Sequence, residues 1–227
     1  MDILQTKNSK SEKCWYHELC KLDYNCDACP RYHEVKYMME NSNLPKSKQK
    51  AITLFAPDCD REAYKKLAEI KSNIYDFVRE GKSLYIGSKY TGNAKTSWSV
   101  KLMHKYFDEV WDNNGFKERA LFIHVPTFLM RCKDFSNQDD NFNHVKNLAM
   151  DIDLVVWDDI ASTDMSSYDF SQILPYIDHR CFSELSNIYT GNFDNKDDLS
   201  NKLGERLASR IWSKNTEIVI FNSKDLR

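Results

Sequence analysis

Five short apolar runs, at 83–87, 121–125, 153–157, 187–191 and 217–221, are separated by stretches long enough to hold helices. Between the first two runs, Val100, Met103, Phe107 and Val110 recur at the three-and-four spacing of one helical face. Ahead of them, Tyr64, Leu67, Ile70, Ile74 and Phe77 do the same across 61–80, and Gly81 stands where a helix stops. Strands that are apolar along their length, rather than alternating, are covered on both faces. Alternation with helices therefore predicts an α/β chain with a parallel sheet sandwiched by helices, the doubly wound class.

The loop after the first run narrows this further. Gly87-Ser-Lys-Tyr-Thr-Gly92-Asn93-Ala94-Lys95-Thr96-Ser97 joins a strand to a helix, where backbone N–H groups and the helix N-terminus can cradle phosphate. In a P-loop of the form G-x-x-x-x-G-K-[ST], Lys95 reaches the β- and γ-phosphates and Thr96 ligates magnesium. The strict spacing puts Lys89 and Ala94 where the two glycines belong, so Gly87 and Gly92 are each displaced by two. Nucleotide binding through Gly87, Gly92, Asn93, Ala94, Lys95, Thr96 and Ser97 is thus expected more firmly than hydrolysis. An ordinary strand-to-helix turn is the alternative for the loop taken alone.

The run at 153–157 ends on two adjacent carboxylates, Asp158 and Asp159. Strand ends face the ligand crevice of such a sheet. There Asp158 can hold Mg2+ and Asp159 can orient or deprotonate the attacking water. Asn192, just past the next strand, can bond the γ-phosphate or that water. Farther on, Arg206 and Arg210 lie at i and i+4 on one face of a predicted helix. Solvated turn aspartates and a surface arginine pair are the plain readings of these residues one at a time; their order after the loop favours a nucleotide site.

A net charge of −2 and a pI near 6.3 exclude wholesale attraction to nucleic acid, so any DNA contact is local. No run approaches the roughly 18 apolar residues of a membrane span, and the start has no secretory pattern. A cytoplasmic chain with reduced thiols is expected. Cys14, Cys20, Cys26 and Cys29 fall close together and can satisfy a tetrahedral metal, with His17 or His33 able to replace one thiolate and zinc and iron both open on spacing alone. Cys59, Cys132 and Cys181 stand singly and are expected in the core. The polar stretch 41–50 reads as a linker, dividing a cysteine-bearing module at 1–50 from a nucleotide-binding domain at 51–227.

In this order, Trp157-Asp158-Asp159-Ile160, Asn192 and Gly204-Glu-Arg206-Leu-Ala-Ser-Arg210 resemble the AAA+ helicase loaders of the DnaC/DnaI type, in their phage-encoded branch. The resemblance covers nearly the whole chain. It implies a P-loop AAA+ domain lacking the C-terminal helical lid, with ATP and Mg2+ as cofactors. It makes Asn192 the sensor, and it makes Arg210 first and Arg206 second the arginine finger, acting on ATP held by a neighbouring copy through self-association. The residues around Cys14 and Ser42-Asn-Leu-Pro resemble the family's helicase-binding module, which implies Zn2+ on the four cysteines. The expected partners are a replicative ring helicase and single-stranded DNA, in the host bacterial cytoplasm if the chain is phage-encoded. A non-catalytic adaptor or inhibitor, and a transposition-type ATPase helper, are the competing readings.

Overall fold

The computed structural model describes residues 29–50, 52–112, 114–134, 139–160 and 165–224. Its centre is a five-stranded, wholly parallel sheet of β1 (Ser83–Gly87), β2 (Ala120–His124), β3 (Leu154–Asp158), β4 (Ser186–Gly191) and β5 (Thr216–Ile220), in the order β2-β3-β4-β1-β5. Each strand overlaps the run expected of it. The second, third and fifth are displaced by one residue; at the second, Val125 opens a helix whose next residue, Pro126, suits a first turn that needs no N–H.

Helices cover both faces, as the doubly apolar strands require. On one side lie α1 (Pro30–Glu40), α2 (Arg61–Ser72), α3 (Ile74–Arg79) and α4 (Lys95–Val110), joined in one apolar cluster with Leu84, Ile86, Val156 and Ile188. On the other lie α5 (Val125–Lys133), α6 (Asp140–Asp151), α7 (Ser167–Phe182), α8 (Lys196–Leu203) and α9 (Glu205–Ile211), packed on Tyr85, Val155, Trp157 and Tyr189. Successive strand residues thus feed opposite cores, as the two-residue period demands.

The single helix expected over 61–80 is two. The break falls at Asn73, where the Ser72 hydroxyl and the Asn73 amide both donate to the Glu69 carbonyl and compete with the backbone ladder. Gly81 does end α3: at φ 65° its N–H bonds Val78 O while Lys82 N–H bonds Phe77 O, and a Cβ there would meet Glu184 O.

The stretch expected as a linker is packed rather than free. Ser42 and Leu44 are buried. Phe122 N–H donates to Ser42 O and the Asn43 amide donates to Phe122 O, so this segment satisfies the outer edge of β2. α1 shares the core through Val35, Met38 and Met39. Cys14, Cys20 and Cys26 lie outside the described residues; Cys29 precedes α1 as a free thiol. Among the described residues no cluster of three metal-ligating side chains forms. Cys132 is buried, Cys181 is half-buried, and Cys59 is exposed in the turn Asp58–Asp60, contrary to the core position expected of it. No described helix is long and apolar enough to cross a membrane.

Candidate nucleotide site

Parallel pairing brings the carboxyl ends of the strands level, with Gly87 opposite Gly191 and His124 opposite Asp158. The strands run into a cavity of about 740 Å3, within the range of small-molecule sites. Gly92, Asn93, Ala94, Lys95, Thr96, Ser97, Asp158, Asp159 and Asn192 all line it. Residues more than 60 positions apart in sequence therefore meet where the sequence reading put a nucleotide.

The first turn of α4 supplies N–H groups with no partner inside the helix, and the N-cap, Ala94, has no side chain with which to satisfy them. The helix dipole adds positive potential at the same point. Lys95 is buried, its Nζ donating to Tyr90 O at 2.8 Å and Asn93 Oδ1 at 3.0 Å. Burial pulls its ammonium down to about 8, against the opposing pull of Asp159 and Asp158. An anion entering the cavity would favour its charged form further. The loop itself is held by Asn93, whose amide donates to the Ser88 hydroxyl and to Ser223 O, and Asp60 in turn accepts from the Asn222 and Ser223 N–H groups.

Gly92 takes the left-handed conformation at φ 74°, and so does Ala94 at φ 67°, directly before the lysine. Ala94 thus occupies a backbone position that glycine fits without strain. Gly87, expected with the phosphate-contacting set, does not line the cavity. Its lack of a side chain answers a different need: a Cβ would lie 2.2 Å from Phe193 O, where the loop after β4 crosses it. Lys89 also points elsewhere, pairing with Asp194 at 3.2 Å.

Across the cavity, Asp158 Oδ1 accepts from Thr96 Oγ1 at 2.7 Å and from Thr190 Oγ1 at 2.8 Å. Burial raises the Asp158 carboxyl, and these two hydrogen bonds oppose the rise. A carboxylate and a hydroxyl in contact form the hard oxygen pair that a Mg2+ ion with several waters takes. Asp159 is held at φ 60°, its N–H on Thr190 Oγ1 at 2.9 Å, and the Asn192 amide approaches its Oδ1 at 3.4 Å. The left-handed turn answers the geometrical problem of two adjacent carboxylates on a strand, since plain alternation would aim them apart.

Thr190 organises both acids and was not anticipated as a site residue; the only sign of it was a hydroxyl at the strand's end before Gly191-Asn192. His124, at the end of β2, lines the same cavity and its ring bonds Thr127 Oγ1. Lys48, Thr53, Leu54, Phe55 and Tyr64 complete the wall away from the loop. They come from a stretch with no strand or phosphate signature, so only the fold discloses them. Arg206 and Arg210 stand outside this cavity and bond Asp178 instead.

No protein-family model and no curated protein matches the chain. Solved structures do. The DnaC helicase loader aligns with a TM-score of 0.61 at 20% identity, over 81% of this chain and 98% of that one. DnaI aligns at 0.62 and 18% identity, over 78% and 94%. AMPPCP-bound DnaA from Aquifex aeolicus aligns at 0.55 and 15% identity; the match covers 84% of this chain and 52% of the DnaA chain. At these identities it is the fold that is shared, here a five-stranded parallel sheet flanked by helices, with the DnaC helicase loader, DnaI and DnaA.

Proposed function

We propose that the chain is an ATPase of the AAA+ class that loads a replicative ring helicase onto single-stranded DNA during replication initiation. The observation that carries this reading is that Asp158 at the end of β3 is hydrogen-bonded to Thr96 in the first turn of α4 and to Thr190 at the end of β4, all three lining one cavity. Lys95 and the first turn of α4 would hold the β- and γ-phosphates, and Phe55, Leu54 and Tyr64 offer an apolar wall for the base. Thr96 and Asp158 would hold Mg2+, which when bound offsets charge on the transferred phosphoryl group. Asp159 orients the attacking water and accepts its proton, and Asn192 fixes the Asp159 carboxylate. Arg210, with Arg206, would act on ATP held by a second copy. The likeness in fold to the DnaC helicase loader supports the choice of helicase as partner, and that to the replication initiator DnaA bound to single-stranded DNA supports a role in replication initiation.

The cysteine-bearing region within 1–50 is assigned to helicase binding, with Zn2+ on Cys14, Cys20, Cys26 and Cys29. Such a short segment has little core of its own, and metal would supply its stability. A second reading, a non-catalytic adaptor that holds nucleotide without turnover, draws on Ala94 at φ 67° and on Lys89 in place of glycine.

Delivery of the cognate helicase to single-stranded DNA, measured with wild type, Lys95→Ala and Asp159→Asn, separates them. A loader delivers as wild type; Lys95→Ala loses nucleotide affinity by tenfold or more, and Asp159→Asn holds ATP without turnover. Helicase capture without delivery, equal in all three proteins, establishes the adaptor instead. Nucleotide affinity unchanged in Lys95→Ala refutes the site.

A further inference from the structure

Asp178 on α7 holds both arginines of α9: Arg206 Nη2 donates to Oδ2 at 2.6 Å and Arg210 Nε donates to Oδ1 at 2.9 Å. Each carboxylate oxygen thus serves one guanidinium. Arg210 is engaged through Nε, so the Nη that faces away from Asp178 is not taken up by this carboxylate. Two cations at i and i+4 repel, and the shared carboxylate between them lets both side chains keep one orientation. Both arginines are largely exposed, and ion pairs of that kind add little to stability. What the contact does provide is position.

Beside this cluster is an unexplained aromatic. Phe182 is 90% exposed, and at four residues beyond Asp178 it lies on the same face of α7, one turn along. A ring so placed, next to a cluster of two guanidiniums and one carboxylate, has the composition of an interface centre, where aromatic and arginine side chains dominate binding. A second exposed ring, Phe55 at 85%, stands on the wall of the nucleotide cavity. The α7–α9 cluster carries net positive charge; in the cavity Asp158 and Asp159 are balanced by Lys48 and Lys95, so a bound triphosphate would supply the negative charge that answers it. The two faces are complementary but not the same, so their union is head-to-tail.

We propose that the α7–α9 face docks on the cavity mouth of a second copy of this chain, with Phe182 as its apolar anchor and Asp178 as the positioning residue that presents Arg210 and Arg206 to the neighbour's phosphate. This rests on the ATPase reading and adds two residues to it. Asp178 touches neither nucleotide nor water; it acts through the guanidiniums it orients, and it releases one of them as the phosphate's charge takes over the bond.

Composite sites test this with the full chain. Lys95→Ala chains keep the arginines but hold nucleotide poorly, and Arg210→Ala chains hold nucleotide but lack the guanidinium; mixed, they regain ATP turnover that neither shows alone. Lys95→Ala/Asp178→Asn donors should restore at least tenfold less turnover at saturating concentration. Lys95→Ala/Phe182→Ser donors should restore the same maximum but need at least tenfold more protein. Circular dichroism melts of each donor show that it is folded. Double-substituted donors as effective as Lys95→Ala overturn the proposal, and so does undiminished turnover in Arg210→Ala alone. If wild type itself turns over no ATP, the ATPase reading falls, and sedimentation with a non-hydrolysable ATP analogue still decides the interface: association weakened tenfold in Phe182→Ser supports it, and equal association overturns it.

Discussion

Ala94→Gly should make this protein slightly more stable. Ala94 sits at φ 67° and ψ 14°, a conformation that costs an L-residue about 1–2 kcal/mol and glycine almost nothing. Against that relief, glycine adds about 0.4–1 kcal/mol of unfolded-state entropy. The half-buried methyl packed on the α4-side core is also lost, worth a few tenths at about 25 cal/mol per Å2. The terms leave a gain of about 0.5 kcal/mol, or roughly 1–2 °C in Tm for a domain of this size. Ala94→Val carries the opposite sign, because a β-branched side chain in the left-handed region is strained further, and should lower stability by more than about 1 kcal/mol. Thermal melts with and without ATP measure both variants, and the ligand-induced increment reports affinity separately from intrinsic stability. A glycine variant that melts lower than wild type, or a valine variant that melts with it, would refute the claim that strain is stored at this residue.

His104 on α4 provides a pH dependence. Burial depresses its imidazole to about 4, well below its ordinary value near 6.5, and its Nε2 has no protein partner among the described residues. Being neutral in the fold and protonated once unfolded, it contributes stability that is complete above pH 6.5 and lost as pH falls from there toward 4. Urea titrations should show a loss of about 2 kcal/mol between pH 7 and 5 from this group; a His104→Leu variant with the same slope would assign that loss elsewhere. Arg180 is wholly buried and donates to Asn187 Oδ1 and to the carbonyls of Ala149, Ile152, Asp153 and Ser186. Arg180→Met strands those acceptors and should cost about 3 kcal/mol or more by chemical denaturation; a loss under about 1 kcal/mol would mean that they find other donors. Purified protein should carry about one zinc per chain by elemental analysis, and Cys26→Ser with Cys29→Ser should remove both metal and helicase binding while ATP affinity stays. Helicase binding that survives metal removal would refute the assignment to 1–50.

The strands and the α4 face were legible because each is written in a local period. Val100, Met103, Phe107 and Val110 are buried as their spacing requires, and β1 spans 83–87 as expected. That the loop, both acids and Asn192 converge on one cavity was readable too, since these residue types stand out against an apolar strand. Gly87 was misread because a glycine's purpose is invisible in sequence: close approach by Phe193 O and a phosphate contact ask for the same residue. The segment 41–50 misled for a related reason. Its polar composition resembles a linker, yet Ser42 and Asn43 are what a bare strand edge needs.

By itself the sequence determined which stretches pair into a sheet and which polar side chains to expect at the strand ends, because hydrophobic period and functional-group chemistry are properties of neighbouring residues. Only the tertiary structure decided that Thr190 joins both acids, that Asp178 holds Arg206 and Arg210, and that Lys48 and Phe55 stand on the wall opposite the loop. Those relations depend on strand order and on packing between elements far apart along the chain, and no local pattern carries that information.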